Sequence, residues 1–265
     1  MRKRKILIAV IAALVVQTGA ALAGAWTEPQ GHAQVISTFF ISDASRSYDD
    51  KGNADIPISY TKILGQTYGA YGLFDGVTLL FDPEYAIAHE GAPGTIGTRA
   101  SALAIGGGVQ GRVLDSEYGI VSLEGYFKSA GAFDTSVTYN HQAGQQYELR
   151  ALYGANFPIF DKTGFVDLEV AERWVAGARP NETPIDLTVG LHVTQGLMVL
   201  AQSFNIISGS DAEPPYVYYR SHKVELSAVQ HIWHRYSFQL GAFVSPTGQN
   251  SLKEQGITAA LWYDF

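Results

Sequence analysis

The sequence has no cysteine, few charged residues and no apolar run beyond residue 23 that could cross a bilayer as a helix. Without a thiol the chain can form no disulfide and has no lipobox, so a disulfide-stapled toxin and a lipoprotein are both excluded. Only 16% of the residues are charged, and the formal net charge is −7. Such a chain lacks the basic surface that nucleic-acid phosphates require, so no nucleic-acid partner is expected.

The first 23 residues have the pattern of a secretory signal peptide. Basic residues 2–5 precede the apolar stretch 6–16, and an A-x-A cleavage site ends at Ala23. A transmembrane helix would need about twenty apolar residues, and this stretch is shorter. We therefore predict cleavage between Ala23 and Gly24. Residues 24–265 then form one domain, and the loss of four basic residues moves its net charge to −11.

The rest of the chain alternates between apolar residues and polar or small ones. In the clearest stretch, residues 185–194, Ile185, Leu187 and Val189 are separated by Asp186 and Thr188. Further alternating stretches lie at residues 121–128, 147–157, 223–228 and 237–244. A period of two predicts β-strands with one apolar face. A soluble secreted β-sandwich would alternate as well, but its polar face would normally carry more charge.

Turn signals divide the chain into about twelve strands. We place them near residues 32–42, 58–74, 77–88, 98–112, 119–129, 146–158, 165–176, 185–194, 197–207, 216–230, 236–245 and 255–265. Short connections alternate with mostly longer, polar ones, as periplasmic turns alternate with external loops in bacterial barrels. The predicted fold is all-β, a transmembrane antiparallel up-and-down β-barrel in the bacterial outer membrane, with both termini facing the periplasm. Ten and fourteen strands remain the alternatives, and only a closed barrel leaves no unpaired strand edge in hydrocarbon.

The chain ends in an aromatic strand that stops on Phe265. Trp262, Tyr263 and Phe265 are expected to belong to the aromatic girdle at the periplasmic interface. The ending resembles the signal by which barrel-assembly machinery selects outer-membrane barrels. The expected partners are therefore this machinery, the lipid bilayer with its lipopolysaccharide, and a small solute.

Charged residues of both signs are predicted to face the lumen. Either they form cross-strand ion pairs that fill and stiffen the barrel, or they form a constriction that orients a polar or amphiphilic solute. The candidate solute contacts are Glu124, Lys128, Glu148, Arg150, Asp167, Glu169, Arg173, Asp186, His192, Lys223 and Glu225.

Enzymatic motifs are weak. Outer-membrane phospholipases carry a His-x-Ser arrangement on an outward strand, and no histidine here is followed by serine two residues later. His192 and Thr194 come nearest, but both are predicted to face the lumen. Residues 106–111 match G-x-G-x-x-G formally, yet they lie inside a predicted strand and not before a helix. We expect no enzymatic activity, no cofactor and no metal.

The mature start, residues 24–34, and the segment 71–79 resemble outer-membrane barrels associated with meta-pathway phenol degradation. This resemblance implies the passage of small, often hydrophobic compounds. The expected function is therefore a passive channel or carrier for small solutes, hydrophobic or aromatic ones included. The alternative is a structural or adhesive barrel with an occluded lumen and interacting external loops. Residues 24–31 are too few to predict a folded plug.

Overall fold

A computed structural model describes residues 24–95, 97–131, 144–214 and 216–265. No helix in this part of the chain is long and apolar enough to cross a membrane. The strands are β1 (Ala33–Ser47), β2 (Ile56–Phe74), β3 (Val77–Gly91), β4 (Thr98–Ser116), β5 (Gly119–Lys128), β6 (Gln146–Ile159), β7 (Lys162–Val175), β8 (Glu182–His192), β9 (Leu197–Ser208), β10 (Arg220–Trp233), β11 (Tyr236–Gln249) and β12 (Gln255–Asp264).

The twelve strands form a closed antiparallel barrel. Each strand pairs with its neighbours in the chain, and β1 closes the barrel against β12. In that closing pair the register runs from Gln34 opposite Asp264 to Asp43 opposite Gln255. The prediction of a twelve-stranded up-and-down barrel is confirmed. Closure satisfies the backbone groups that an open sheet edge would leave unpaired.

Several strands extend further from the membrane than the alternation predicted. The first was predicted to end near residue 42, but β1 continues to Ser47, and residues 43–47 pair with β2. Asp43 and Arg46 are exposed there. Backbone pairing continues above the bilayer, where the outward face no longer needs apolar residues. The tenth strand begins later than predicted, at Arg220.

The outer wall is apolar where the strands cross the membrane. Phe39, Leu103 and Leu226 are each more than 60% exposed, which is the pattern of lipid-facing residues in a barrel. At the rim where β12 ends, Tyr263 packs against Tyr236 at 4.6 Å and against Phe265 at 4.4 Å between ring centroids. The Phe265 amide donates to the Ala33 carbonyl at 2.8 Å. The last residue is thus held in place, and its use as an assembly signal stays a prediction.

Trp262 does not belong to this girdle, so that prediction is wrong. Its side chain is 7% exposed and lies inside the barrel, where the indole Nε1 donates to Gln239 Oε1 at 2.9 Å. Neighbouring residues of a strand point to opposite faces, so Trp262 faces inward when Tyr263 faces lipid.

A predicted turn at Asp75-Gly76 is confirmed and shows how the periplasmic rim is built. Phe74 pairs with Val77, so only Asp75 and Gly76 connect β2 to β3. Gly76 has a φ of 77°, which glycine adopts without the steric cost that other residues pay.

Candidate functional site: the barrel lumen

The lumen contains two cavities with different linings. One, of about 510 Å³, is lined mainly by charged and polar side chains of β2 to β8. The other, of about 360 Å³, has an apolar lining built mostly by β1, β9 and β12. Its apolar residues include Ile36, Phe40, Phe165, Met198, Leu200 and Trp262. Thr188, Gln202, Phe204 and Ile206 line both cavities, so a charged wall and an apolar wall meet in one lumen.

Arg150 is the centre of the charged wall. Its guanidinium contacts Glu148 on its own strand at 2.7 Å, Glu169 on β7, and Asp186 on β8 at 3.1 Å. All four side chains are mostly shielded from solvent, with exposed fractions of 21% or less. One cation therefore holds three carboxylates, because the register brings β6, β7 and β8 together at this height.

Arg173 extends this network toward the external loops. It donates from Nε to Glu148 and from a terminal nitrogen to Glu182, both at 2.7 Å. Together the two arginines contact four carboxylates, so the network is negative overall. This excess of carboxylates favours cations in the lumen.

Lys128 forms a separate cluster with β3. Its ammonium lies 2.8 Å from Glu84 and 3.0 Å from Asp82, and Tyr126 donates to Asp82 at 2.8 Å. The intervening strand β4 places Gly106 opposite both Asp82 and Lys128. A Cβ atom at Gly106 would lie 1.9 Å from the Tyr126 hydroxyl. The glycine run that formally matches a nucleotide-binding motif therefore makes room for contacts across β4.

A third cluster lies at the external end of the lumen. Glu254, between β11 and β12, pairs with Lys62 at 2.8 Å and with Lys223 at 3.2 Å. Burial raises the pKa of the Glu254 carboxyl, but the two lysine charges outweigh this effect and hold it at about 2. In the described residues no group of three or more His, Cys, Asp or Glu side chains is placed to hold a metal ion.

The structure brings most of the candidate solute contacts together. The charged cavity is lined by Glu124, Lys128, Glu148, Arg150, Glu169, Arg173 and Asp186. Lys223 and Glu225 line the apolar cavity. Asp167 and His192 line neither cavity. Asp167 is 2% exposed, and the His192 ring lies 6.5 Å from that of Phe165.

Sequence reasoning missed Asp82, Glu84, Glu182 and Glu254. A signal for the first two was present, because the exposed Leu79, Phe81 and Tyr85 alternate with them along β3. Their contact with Lys128 could not be read from that pattern, since it depends on the register of three strands.

Residues 24–32 run into the lumen from the periplasmic rim. The Ala25 amide donates to Asp167 at 2.9 Å, and its carbonyl accepts from the Ser122 hydroxyl at 2.6 Å. The Gly24 carbonyl accepts from the Gln110 side chain at 2.6 Å. Ala25 is completely buried. The predicted signal peptide, Ala23 included, lies outside the described residues, whereas Gly24 is fixed inside the barrel.

Glycines in the wall make room for this N-terminal segment. A Cβ at Gly72 would lie 2.0 Å from the Pro29 carbonyl oxygen, and one at Gly154 would lie 2.6 Å from the Trp26 ring. The Trp26 ring also meets Phe165 edge to face at 5.9 Å. The sequence predicted only that residues 24–31 are too few for a folded plug. The segment lies in the lumen as an extended chain, an arrangement that this prediction did not consider.

Comparisons with known proteins find similarity in structure only. No family model and no curated protein matches the sequence. The COG4313 outer membrane channel from Pseudomonas putida F1 superposes with a TM-score of 0.69 at 15% identity, covering 90% of this chain and 97% of that one.

Two autotransporter domains are similar to a lesser degree. The beta domain of the Bordetella autotransporter BrkA gives a TM-score of 0.55 at 13% identity, covering 89% of this chain and 100% of that one. The translocator domain of NalP from Neisseria meningitidis gives 0.54 at 12% identity and covers 90% of each chain. With its closed wall and apolar outer surface, the chain has the fold of a bacterial outer-membrane β-barrel.

Proposed function

We propose that the protein is a narrow outer-membrane channel for small amphiphilic solutes, kept nearly closed by its own residues 24–32. The observation that carries this proposal is the N-terminal segment inside the lumen, hydrogen-bonded to Gln110, Ser122 and Asp167 on three strands. A purely structural barrel could fill its lumen with wall side chains alone. Here a separate segment of the chain enters the lumen, where Gly24 lines the charged cavity and Trp26 packs against Phe165 of the apolar cavity.

The two walls of the lumen indicate the class of solute. A molecule with an apolar part and a polar or positively charged part could place the first beside Leu200 and Trp262 and the second beside Glu169 and Asp186. This arrangement agrees with the resemblance to barrels of phenol degradation, and with the likeness to an outer membrane channel. We include small aromatic compounds among the solutes.

Planar-bilayer recordings of refolded residues 24–265 test this function. We expect small, brief single-channel events with a preference for cations, because carboxylates outnumber cations around Arg150 and Arg173. Benzylammonium should block the current at lower concentration than methylammonium, since both carry one charge but only the first has a ring for the apolar wall.

The outcome separates this proposal from the alternative of a structural or adhesive barrel. Absence of single-channel events at any voltage, for protein that shows the heat-dependent gel shift of a folded barrel, would contradict the channel and favour the alternative. Equal block by the two ammonium ions would contradict the amphiphilic solute class while leaving the channel in place.

A further inference from the structure

Polar side chains interrupt the lipid-facing surface on β9 and β10. Ser203, Asn205 and His222 all point outward, and His222 lies opposite Asn205 in the sheet. The Asn205 amide nitrogen donates to the Ile185 carbonyl at 2.7 Å and to the Ser203 hydroxyl at 3.0 Å. Because the Asn205 amide nitrogen makes these two bonds, its oxygen Oδ1 faces His222 and accepts a hydrogen bond from Nδ1 of that ring. The three side chains hold one another in a fixed arrangement on the outer wall.

An apolar groove lies beside these residues on the outer wall, across β8 to β11. Its floor is recessed because the outward side chains of β9 there, Ala201 and Ser203, are small. Outward side chains of the neighbouring strands, all but one of them Leu or Val, form its sides, and its volume is about 480 Å³. These flanking residues are Leu187, Val189, Val224, Leu226, Ala242 and Val244. The groove has the apolar lining that suits an acyl chain.

The external end of the groove carries positive charge. Arg220, two residues before His222 on β10, is exposed on the same outer face. Its guanidinium lies 5.3 Å from the centre of the Tyr218 ring, which holds the charge near the wall. These groups lie at the external interface, where lipid phosphates meet the hydrocarbon.

We propose that the outer surface of β8 to β11 binds one lipid A-type molecule of the outer leaflet. An acyl chain occupies the groove over Ala201, and a phosphate contacts Arg220 at the external end of β10. The described hydrogen bonds include none between Ser203 and His222, so the trio does not form the nucleophile and base of a hydrolase. This binding site is independent of whether the lumen conducts.

Native mass spectrometry of the detergent-solubilised full barrel, titrated with bisphosphorylated lipid A, tests the site. We expect one tightly retained lipid molecule. Ala201→Leu should weaken its retention about tenfold, because the added side chain displaces roughly two methylene groups from the groove. Arg220→Gln should weaken retention of the phosphorylated lipid and leave that of its dephosphorylated form unaffected, because it removes the cation that contacts the phosphate.

Ala259→Leu is the matched control, since Ala259 faces outward on β12 and does not line the groove. All variants are first checked for the heat-dependent gel shift, and Arg220→Gln keeps the test informative if a groove variant fails to fold. Equal retention by wild type and Ala201→Leu would overturn the proposal. So would an equal loss in Ala201→Leu and Ala259→Leu, which would indicate nonspecific lipid around the whole barrel.

Discussion

Deleting residues 24–30, so that the mature chain begins at Gly31, is expected to raise single-channel conductance several-fold. The deletion removes the hydrogen bonds to Gln110, Ser122 and Asp167, together with the Trp26 ring. It keeps the bond from the Gly72 amide to the His32 carbonyl at 2.9 Å, so the rim beside β1 is preserved. Planar-bilayer recordings and the swelling of liposomes in small sugars both measure the effect.

A point substitution gives the same test with the segment still present. Gly154→Val would place side-chain atoms where the Trp26 ring lies, since even a Cβ comes within 2.6 Å of it. We expect this variant to conduct more than wild type. Gly125→Val is the matched control, because Gly125 is exposed on the outer face of β5 and its added Cβ meets no atom within 4 Å. Wild-type conductance in both the deletion and Gly154→Val would show that the segment does not restrict the lumen.

Replacing Arg150 by glutamine is expected to destabilise the barrel by about 3 kcal/mol or more, because it leaves buried carboxylates without their cation. Glu169 and Asp186 lose their contact with the guanidinium, while Glu148 keeps Arg173. The free energy of unfolding in urea, measured in detergent or lipid vesicles, tests this. In folded protein the reversal potential should also shift toward stronger cation preference.

Arg112→Gln provides the comparison for this prediction. Arg112 pairs with Asp75 and Asp115, whose side chains are 87% and 57% exposed. Ion pairs of this kind contribute about 1 kcal/mol or less. Equal stability of Arg150→Gln and wild type would mean that the central network does not hold the lumen together.

The alternating pattern was sufficient to predict the fold, because the apolar residues within each strand identify the side that faces lipid. Residues 185–194 and the turn at Asp75-Gly76 are local signals. The turn lies where it was predicted, and the predicted strand appears as β8, shifted to Glu182–His192. The alternation also assigned Trp262 and Tyr263 to opposite faces, so the error over Trp262 came from grouping aromatic residues without regard to their faces.

The lumen could be predicted only in part, since its contacts join residues far apart in the chain. Alternation placed Arg150 and Asp186 inside the barrel, but their pairing depends on the register of β6, β7 and β8. The N-terminal segment gave no signal of its own. Its position depends on room left by Gly72 and Gly154 and on an acceptor at Asp167, three residues on different strands.

A reversible cross-link tests most directly whether residues 24–32 control the lumen. The chain has no cysteine, so Ala25→Cys with Ser122→Cys creates the only thiol pair, at a place where the Ser122 hydroxyl lies 2.6 Å from the Ala25 carbonyl oxygen. Single-channel conductance is recorded on one refolded preparation before and after reduction. The account predicts that the oxidised protein is silent and that reduction restores brief openings. Identical openings in the oxidised and reduced protein would contradict it.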